Sequence, residues 1–176
     1  AVHTEKRESG ILTFADVSSL AVDILKRNKA LRRRFKERYR YIMIDEFQDN
    51  NELQKDLLYL LSERLDREGD GIPAPCDLER DKLFFVGDEK QSIYRFRGAD
   101  VSVFKALGDE LGSSGGKSFH LATNYRSEPA LIEWFNTIFP SIMAHSGERW
   151  EADFEELGTR GATEGIKASV TALLKP

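Results

Sequence analysis

Two acidic pairs stand where an apolar run gives out: Asp45–Glu46 in "YIMIDEFQDN" and Asp88–Glu89 in "KLFFVGDEK". In open α/β sheets ligands collect at the carboxyl ends of the strands, so carboxylates at those ends are placed for chemistry on a bound nucleotide. Phosphoryl transfer to water needs one carboxylate to help hold magnesium, usually through its water shell. A second must orient and deprotonate the attacking water. Adjacent residues at a strand end point in different directions, so Asp45 and Glu46 can divide these tasks. Taken alone, "IDE" reads first as a solvated acidic turn, because turns favour the same residues.

The stretch "GDEKQSIYRFRGAD", from Gly87 to Asp100, shifts that balance. It joins a strand-end Gly-Asp to the amide of Gln91 and to Tyr94, Arg95, Phe96 and Arg97, where aromatics and cations alternate. Such interleaving suits single-stranded nucleic acid, whose bases stack and whose phosphates pair with arginine. The same pattern also arises when Tyr94 and Phe96 are core and the arginines are surface. Further on, "TNYRS" offers Tyr125 as a flat face for a base and Arg126 as a cation for a phosphate. Alone, it is an arginine before a helix start.

The elements that must position these residues alternate between strand and helix. Thr13 and Asp16 form a capping-box variant that opens a helix with Val17, Leu20, Ala21, Ile24 and Leu25 on one face. A second helix is expected over 29–39, inside the basic run "KRNKALRRRFKERYR", and charge runs of this kind are usually solvated faces. Residues 41–44 form a short buried strand, followed by a helix carrying Leu53, Leu57, Leu60 and Leu61. "DREGDGIPAPCDLERD" is a loop by its Gly, Pro and Asp content. "KLFFVGD" is a second buried strand, and Asp100 caps a helix with Val103, Phe104, Leu107 and Leu111, which "GSSGG" breaks. Ser127 is expected to cap a helix bearing Leu131, Ile132, Phe135, Ile138 and Phe139. Alternation over 166–174 predicts a half-buried strand. Strands alternating with helices indicate an α/β sheet with parallel strands.

Composition bounds the chemistry. The 176 residues can bury one sizeable core, with 40% hydrophobic and 32% charged residues, as in globular proteins. A net charge of −4 argues against a generally basic nucleic-acid coat, while leaving room for a local basic groove. Cys76 is the only cysteine, so no disulfide forms within the chain, and a reducing cytoplasm is the natural setting. No apolar run is long enough to span a bilayer.

"DEFQD", "GDEKQSIYRFRGAD" and "NYRS", in this order, resemble the Walker B motif, motif III and motif IV of the UvrD/Rep group of superfamily 1 DNA helicases. Lys90 before Gln91 makes the chain look closest to the RecB/AddA helicase–nuclease branch, also known as exonuclease V. The resemblance covers roughly Gly10 to Phe139. It implies ATP and Mg²⁺ as cofactors, single-stranded and duplex DNA as substrate, movement 3′ to 5′ and a role in recombinational repair. As partner it implies a second helicase–nuclease subunit. It implies that Asp45 serves magnesium and Glu46 activates water, while Gln91 senses the γ-phosphate and couples it to DNA. It further implies that Tyr94 and Phe96 face the single strand and that Arg97 links the DNA and nucleotide sites. Tyr125 would stack on adenine and Arg126 would act as an arginine finger. Phe96 stands where many relatives have Trp, Ala15 where an acidic residue is commoner, and Asn50–Asn51 where Thr-Asn is commoner.

A phosphate-binding loop needs Gly, four residues, then Gly-Lys-Ser or Gly-Lys-Thr, so that backbone N–H groups wrap the phosphates. "LGSSGGKS" fails by one residue, since Leu111 occupies the first glycine position, and it reads as a flexible hairpin-like connection. The expected fold is therefore an incomplete RecA-like (P-loop NTPase) parallel sheet flanked by helices over 1–118, with the beginning of a second RecA-like domain over 119–176. The expected function is that of a fragment of an ATP-dependent DNA helicase, inactive by itself. The alternative is a non-enzymatic single-stranded nucleic-acid-binding module with a degenerate ATPase.

Overall fold

The computed structural model describes residues 10, 12–143, 151, 154–166, 169 and 171. It divides into two compact units, Ala1–Lys117 and Ser118–Pro176. Helices alternate with short parallel strands, a mixed helix–strand architecture of the α/β kind. Among the described residues no helix is long and apolar enough to cross a membrane.

In the first unit, helix α1 (Phe14–Arg27) begins at a full capping box: Thr13 Oγ1 accepts the Asp16 N–H, and the Asp16 carboxylate accepts the Thr13 N–H. Helix α2 (Lys29–Arg38) follows directly, capped by Asn28. Strand β1 (Ile42–Ile44) leads through a turn into helix α3 (Glu52–Ser62), which opens on an Asn51/Gln54 capping box. Strand β2 (Leu83–Phe85) pairs with β1 in parallel, with Ile42 opposite Leu83, Met43 opposite Phe84 and Ile44 opposite Phe85. Helix α4 (Val101–Gly112) starts at Asp100, whose carboxylate accepts the Ser102 N–H.

Helix α3 lies between two apolar clusters. On one side Leu58 and Tyr59 join Phe47, Leu78, Val103 and Leu107, with Ile42, Ile44, Leu83 and Phe85 of the strands packed against them. On the other, Leu60 joins Val22 and Leu25 of α1, with Leu31 and Phe35 of α2 alongside. Glu110 of α4 fastens the helices together, accepting from Lys55 Nζ at 2.9 Å and from the Tyr59 hydroxyl at 2.8 Å.

The strands are buried on one face only. Side chains alternate across a strand, and Met43 and Phe84, opposite each other in register, are 72% and 53% exposed. The basic run also departs from the expected solvated face. Arg32 and Lys36, one turn apart on α2, are buried, because both reach the carboxylate of Glu63.

"LGSSGGKS" is the end of α4 rather than a hairpin-like connection. Gly116 donates its N–H back to the Leu111 carbonyl at 2.8 Å, and Gly115 takes φ 90°, the left-handed conformation that closes helices.

In the second unit, β3 (Thr123–Asn124) pairs in parallel with β4 (Gly158–Thr159), and helix α5 (Pro129–Ile142) lies between them in sequence. Ser127 does not cap α5. Pro129 takes the first helical position, Glu128 before it is extended, as a residue preceding proline must be, and Ser127 gives its N–H to Asn124 Oδ1. The strand expected over 166–174 falls largely outside the described residues.

Candidate functional site

The chain turns sharply where β1 ends. Asp45 Oδ1 accepts the Glu46 N–H at 2.9 Å, and Glu46 sits in the left-handed region at φ 53°, ψ 42°. A non-glycine residue there costs roughly 1–3 kcal/mol and persists only where its surroundings over-determine it. Here they do. The next residue, Phe47, is buried in the apolar cluster, and its N–H is bound by the Val86 carbonyl at the end of β2, 2.9 Å away.

Gln48 then reaches back. Its side chain is buried, with Nε2 donating to Glu46 Oε2 at 2.6 Å and Oε1 accepting the Asp88 N–H at 3.0 Å. The Asp88 N–H orients the amide, because a backbone N–H must meet an oxygen, and this leaves Nε2 to face Glu46. One side chain thus ties together the acidic ends of two parallel strands. Gly87 makes room for it: a Cβ there would lie 2.8 Å from Gln48 Oε1 and 3.0 Å from the Phe104 ring.

Asp88 organises the turn after β2. Its Oδ1 accepts the Lys90 N–H and its Oδ2 accepts from Gln91 Nε2, each at 3.1 Å. Partial burial pushes the Asp88 carboxyl up, but the hydrogen bonds from Gln91 and Lys90, with the Lys90 charge, outweigh it and hold the group below its ordinary range. Asp49 moves the other way: desolvation first, then the neighbouring Glu46 charge, raise it.

Two further bonds fix the segment from 87 to 100 onto the turn after β1. Ser92 Oγ donates to the Gln48 carbonyl at 3.1 Å, and the Asp100 N–H donates to the Asn50 carbonyl at 3.0 Å. Between them a short helical turn, Arg95–Arg97, closes on Gly98 at φ 91°. It presents a cluster of rings and cation. Tyr94 and Phe96 lie 6.0 Å apart between centroids, and the Arg97 guanidinium sits 5.0 Å from one ring and 5.4 Å from the other. Phe96 is not core; it is 79% exposed.

Asp45, Glu46, Gln91, Tyr94, Phe96 and Arg97 all belong to the first unit, and Tyr125 and Arg126 belong to the second. There, Asn124 Oδ1 accepts the N–H groups of both Arg126 and Ser127, shaping a turn that leaves Tyr125 and Arg126 exposed. Arg160 supports it from just past β4, donating to the Tyr125 carbonyl at 3.0 Å and to Glu128.

Asp45 could contribute one carboxylate to a magnesium site. Among the described residues no group of three or more His, Cys, Asp or Glu side chains could hold a metal by itself. Magnesium asks for less, one or two carboxylates with the remaining positions filled by water and phosphate, and Asp45 is an exposed strand-end carboxylate of that kind.

A family profile described as UvrD/REP helicase N-terminal domain matches residues 1–111. The chain belongs to that family. It is 38% identical over 156 residues to an ATP-dependent helicase/nuclease subunit of Syntrophomonas wolfei, covering 86% of this chain and 11% of the relative. The proteins of the same description from Streptococcus sanguinis and Listeria innocua are 37% and 35% identical, over 86% and 79% of this chain. The chain spans about a tenth of the length of these relatives, 11% in each case. Within the matched residues, Gln48 and Ser92 bind "DEFQD" and "GDEKQSIYRFRGAD" to each other, and Asp100 of the second binds Asn50 just past the first.

Sequence reasoning placed Gln48, Gly87 and Asn124 inside its motifs but gave Gln48 and Asn124 no task and Gly87 none beyond ending the strand. Gln48 has no periodicity to mark it, and its role depends on the left-handed turn at Glu46 that folds it back over the strand end.

Proposed function

We propose that this chain is the middle of an ATP-driven DNA helicase. Residues 1–118 would form part of a first RecA-like motor domain and residues 119–176 the start of a second. The reading is supported by the family match over residues 1–111 and by relatives described as ATP-dependent helicase/nuclease subunits. The observation that carries it is the union of the two acidic strand ends by Gln48, which sets Glu46 and the Asp88–Gln91 turn at one edge of the parallel sheet.

In this reading Asp45 would hold magnesium, which would supply charge neutralisation for the transferred phosphoryl group. Glu46 orients a water and takes its proton as the water oxygen bonds to phosphorus and the bond to the departing diphosphate oxygen breaks. Gln91 reports the γ-phosphate to the Tyr94–Phe96–Arg97 cluster, on which single-stranded DNA stacks. Tyr125 stacks on adenine, and Arg126 serves as an arginine finger. Stepping runs 3′ to 5′, and a second helicase–nuclease subunit is the natural partner. By itself the 176-residue chain should turn over no ATP, because no stretch of it has the Gly-x₄-Gly-Lys-Ser/Thr spacing that cradles phosphates.

The test is Glu46→Gln in the longer helicase polypeptide. ATP should still bind, with hydrolysis slowed about 10²–10⁴-fold, as for loss of a general base. Near-normal turnover would remove Glu46 from the mechanism. DNA-stimulated turnover by the isolated chain would overturn its assignment as an inactive part.

A further inference from the structure

We infer that Gln48 is a positioning residue that holds the Glu46 carboxylate in its working direction and links it mechanically to Gln91; this rests on the proposed role of Glu46 as the base. The links are short and continuous. Gln91 Nε2 donates to Asp88 Oδ2 at 3.1 Å, the Asp88 N–H donates to Gln48 Oε1 at 3.0 Å, and Gln48 Nε2 donates to Glu46 Oε2 at 2.6 Å. The amide is 1% exposed, so it cannot swing out into water and exchange these partners for solvent. Its backbone is also held, by the Ser92 hydroxyl at 3.1 Å.

The consequence is specific. With Oε2 engaged by Gln48, the carboxylate of Glu46 has one oxygen fixed and presents the other toward water. A carboxylate on a left-handed turn with no such anchor would sample several rotamers, and misplacement of about 1 Å costs on the order of 10²-fold in rate. Any movement of the Gln91 turn on binding a phosphate or DNA pulls on the Asp88 backbone, and through Gln48 on Glu46. A buried hydrogen-bonded chain of this kind acts as a unit, since each member's geometry depends on the next.

The discriminating variant is Gln48→Glu. It keeps the length of the side chain and an oxygen for the Asp88 N–H, but sets an acceptor where Nε2 donated to Glu46. In the longer polypeptide at neutral pH, kcat for ATP hydrolysis should fall about 10–100-fold, with KM for ATP within about twofold and a folded state that melts at a lower temperature, because a second carboxylate now lies buried beside Glu46. Lowering the pH should restore part of the loss, because the protonated carboxyl can donate its O–H to Glu46 as the amide does. The surrounding charges, Asp45 and Asp49 on the same turn and Asp88 with Lys90 opposite, are present in both proteins, so the difference between the two profiles isolates position 48. A normal kcat, or a loss that acid does not relieve in a folded variant, overturns the inference. Glu46→Gln assayed alongside separates the two readings: full activity there sinks both, whereas a dead Glu46→Gln with a normal Gln48→Glu sinks this one alone. Should Gln48→Glu melt, the 176-residue chain still decides: the Gln48 side-chain amide protons should be protected from exchange with water and lose that protection in Glu46→Ala, and amide protons that exchange freely in the unsubstituted chain would overturn the link.

Discussion

Lys36 Nζ lies 3.0 Å from Glu63 Oε2, with the two side chains 1% and 2% exposed. The same carboxylate oxygen meets Arg32 Nη2 at 3.1 Å, and the other accepts the Gly69 N–H, also at 3.1 Å. Lys36 also donates to the carbonyls of Arg64 and Arg67. One carboxylate at the end of α3 thus fixes α2 and the loop beyond α3.

Removing Glu63 strands two cations in the interior. Breaking a buried ion pair by deleting one partner typically costs about 3–5 kcal/mol, because the remaining charge is left without compensation. Glu63→Ala should therefore lower the urea midpoint of the chain sharply. Arg33→Ala, which loses only exposed partners in Glu37 and Glu68, should leave that midpoint nearly unchanged. Equal effects from the two variants would mean that the buried cluster is no more than a surface network.

The same cluster marks where the sequence stopped being legible. Local signals served well wherever a residue's task is local: the Thr13/Asp16 box opens α1, and Asp100 caps α4. The parallel pairing of β1 and β2 also followed from alternation of strand and helix. The basic run did not, because Arg32 and Lys36 are buried by a carboxylate at position 63, and nothing near them in sequence announces that partner. Gln48 was hidden for a related reason. Its two contacts, at Glu46 and Asp88, require a left-handed turn and a strand pairing to be known first. Ser127 lost its cap role to a competing rule, the restriction that Pro129 places on the residue before it.

Gly87→Ala should disturb both stability and the candidate site. The added Cβ would meet Gln48 Oε1 at 2.8 Å and Phe104 ring carbons at 3.0 and 3.1 Å, and neither neighbour is free to retreat. Gln48 is held at both ends, and Phe104 packs against the Phe47 cluster. Overpacking of this kind costs about 1–3 kcal/mol. Denaturant melts would show the loss, and a variant as stable as the parent chain would mean that the strand end yields more easily than its contacts suggest.

Acid should loosen the second unit. The Thr163 hydroxyl and N–H, followed by the Arg160 guanidinium, hold the Glu128 carboxyl at about 2 against an ordinary value of 4.5. The folded value is depressed, so the stabilisation is fully present above the unfolded value and disappears as pH falls from about 4.5 toward about 2. Protection of the Arg160 and Thr163 amides, taken relative to intrinsic exchange at each pH, should fall across that window. Glu128→Gln should be less protected at neutral pH and lose little further protection on acidification. Protection that does not change with pH in the unsubstituted chain would remove Glu128 as the anchor.

Phe96 separates a DNA-binding surface from a merely exposed ring. The side chain is 79% exposed, so Phe96→Ala should change folding stability by no more than about 0.5 kcal/mol. Base–aromatic stacking, by contrast, is worth about 1–3 kcal/mol on alanine substitution. Under the proposed helicase function, the variant in the longer polypeptide should therefore bind single-stranded DNA roughly 5- to 150-fold more weakly, with DNA stimulation of ATP turnover reduced in parallel. Arg97 offers an internal control. Its guanidinium lies over both Tyr94 and Phe96, so Arg97→Ala removes a charge as well as a ring contact. It should flatten the salt dependence of binding by about one unit of slope if that charge also pairs with a phosphate, an effect Phe96→Ala should lack. Undiminished affinity in a well-folded Phe96→Ala protein would show that the ring meets another part of the polypeptide rather than a base.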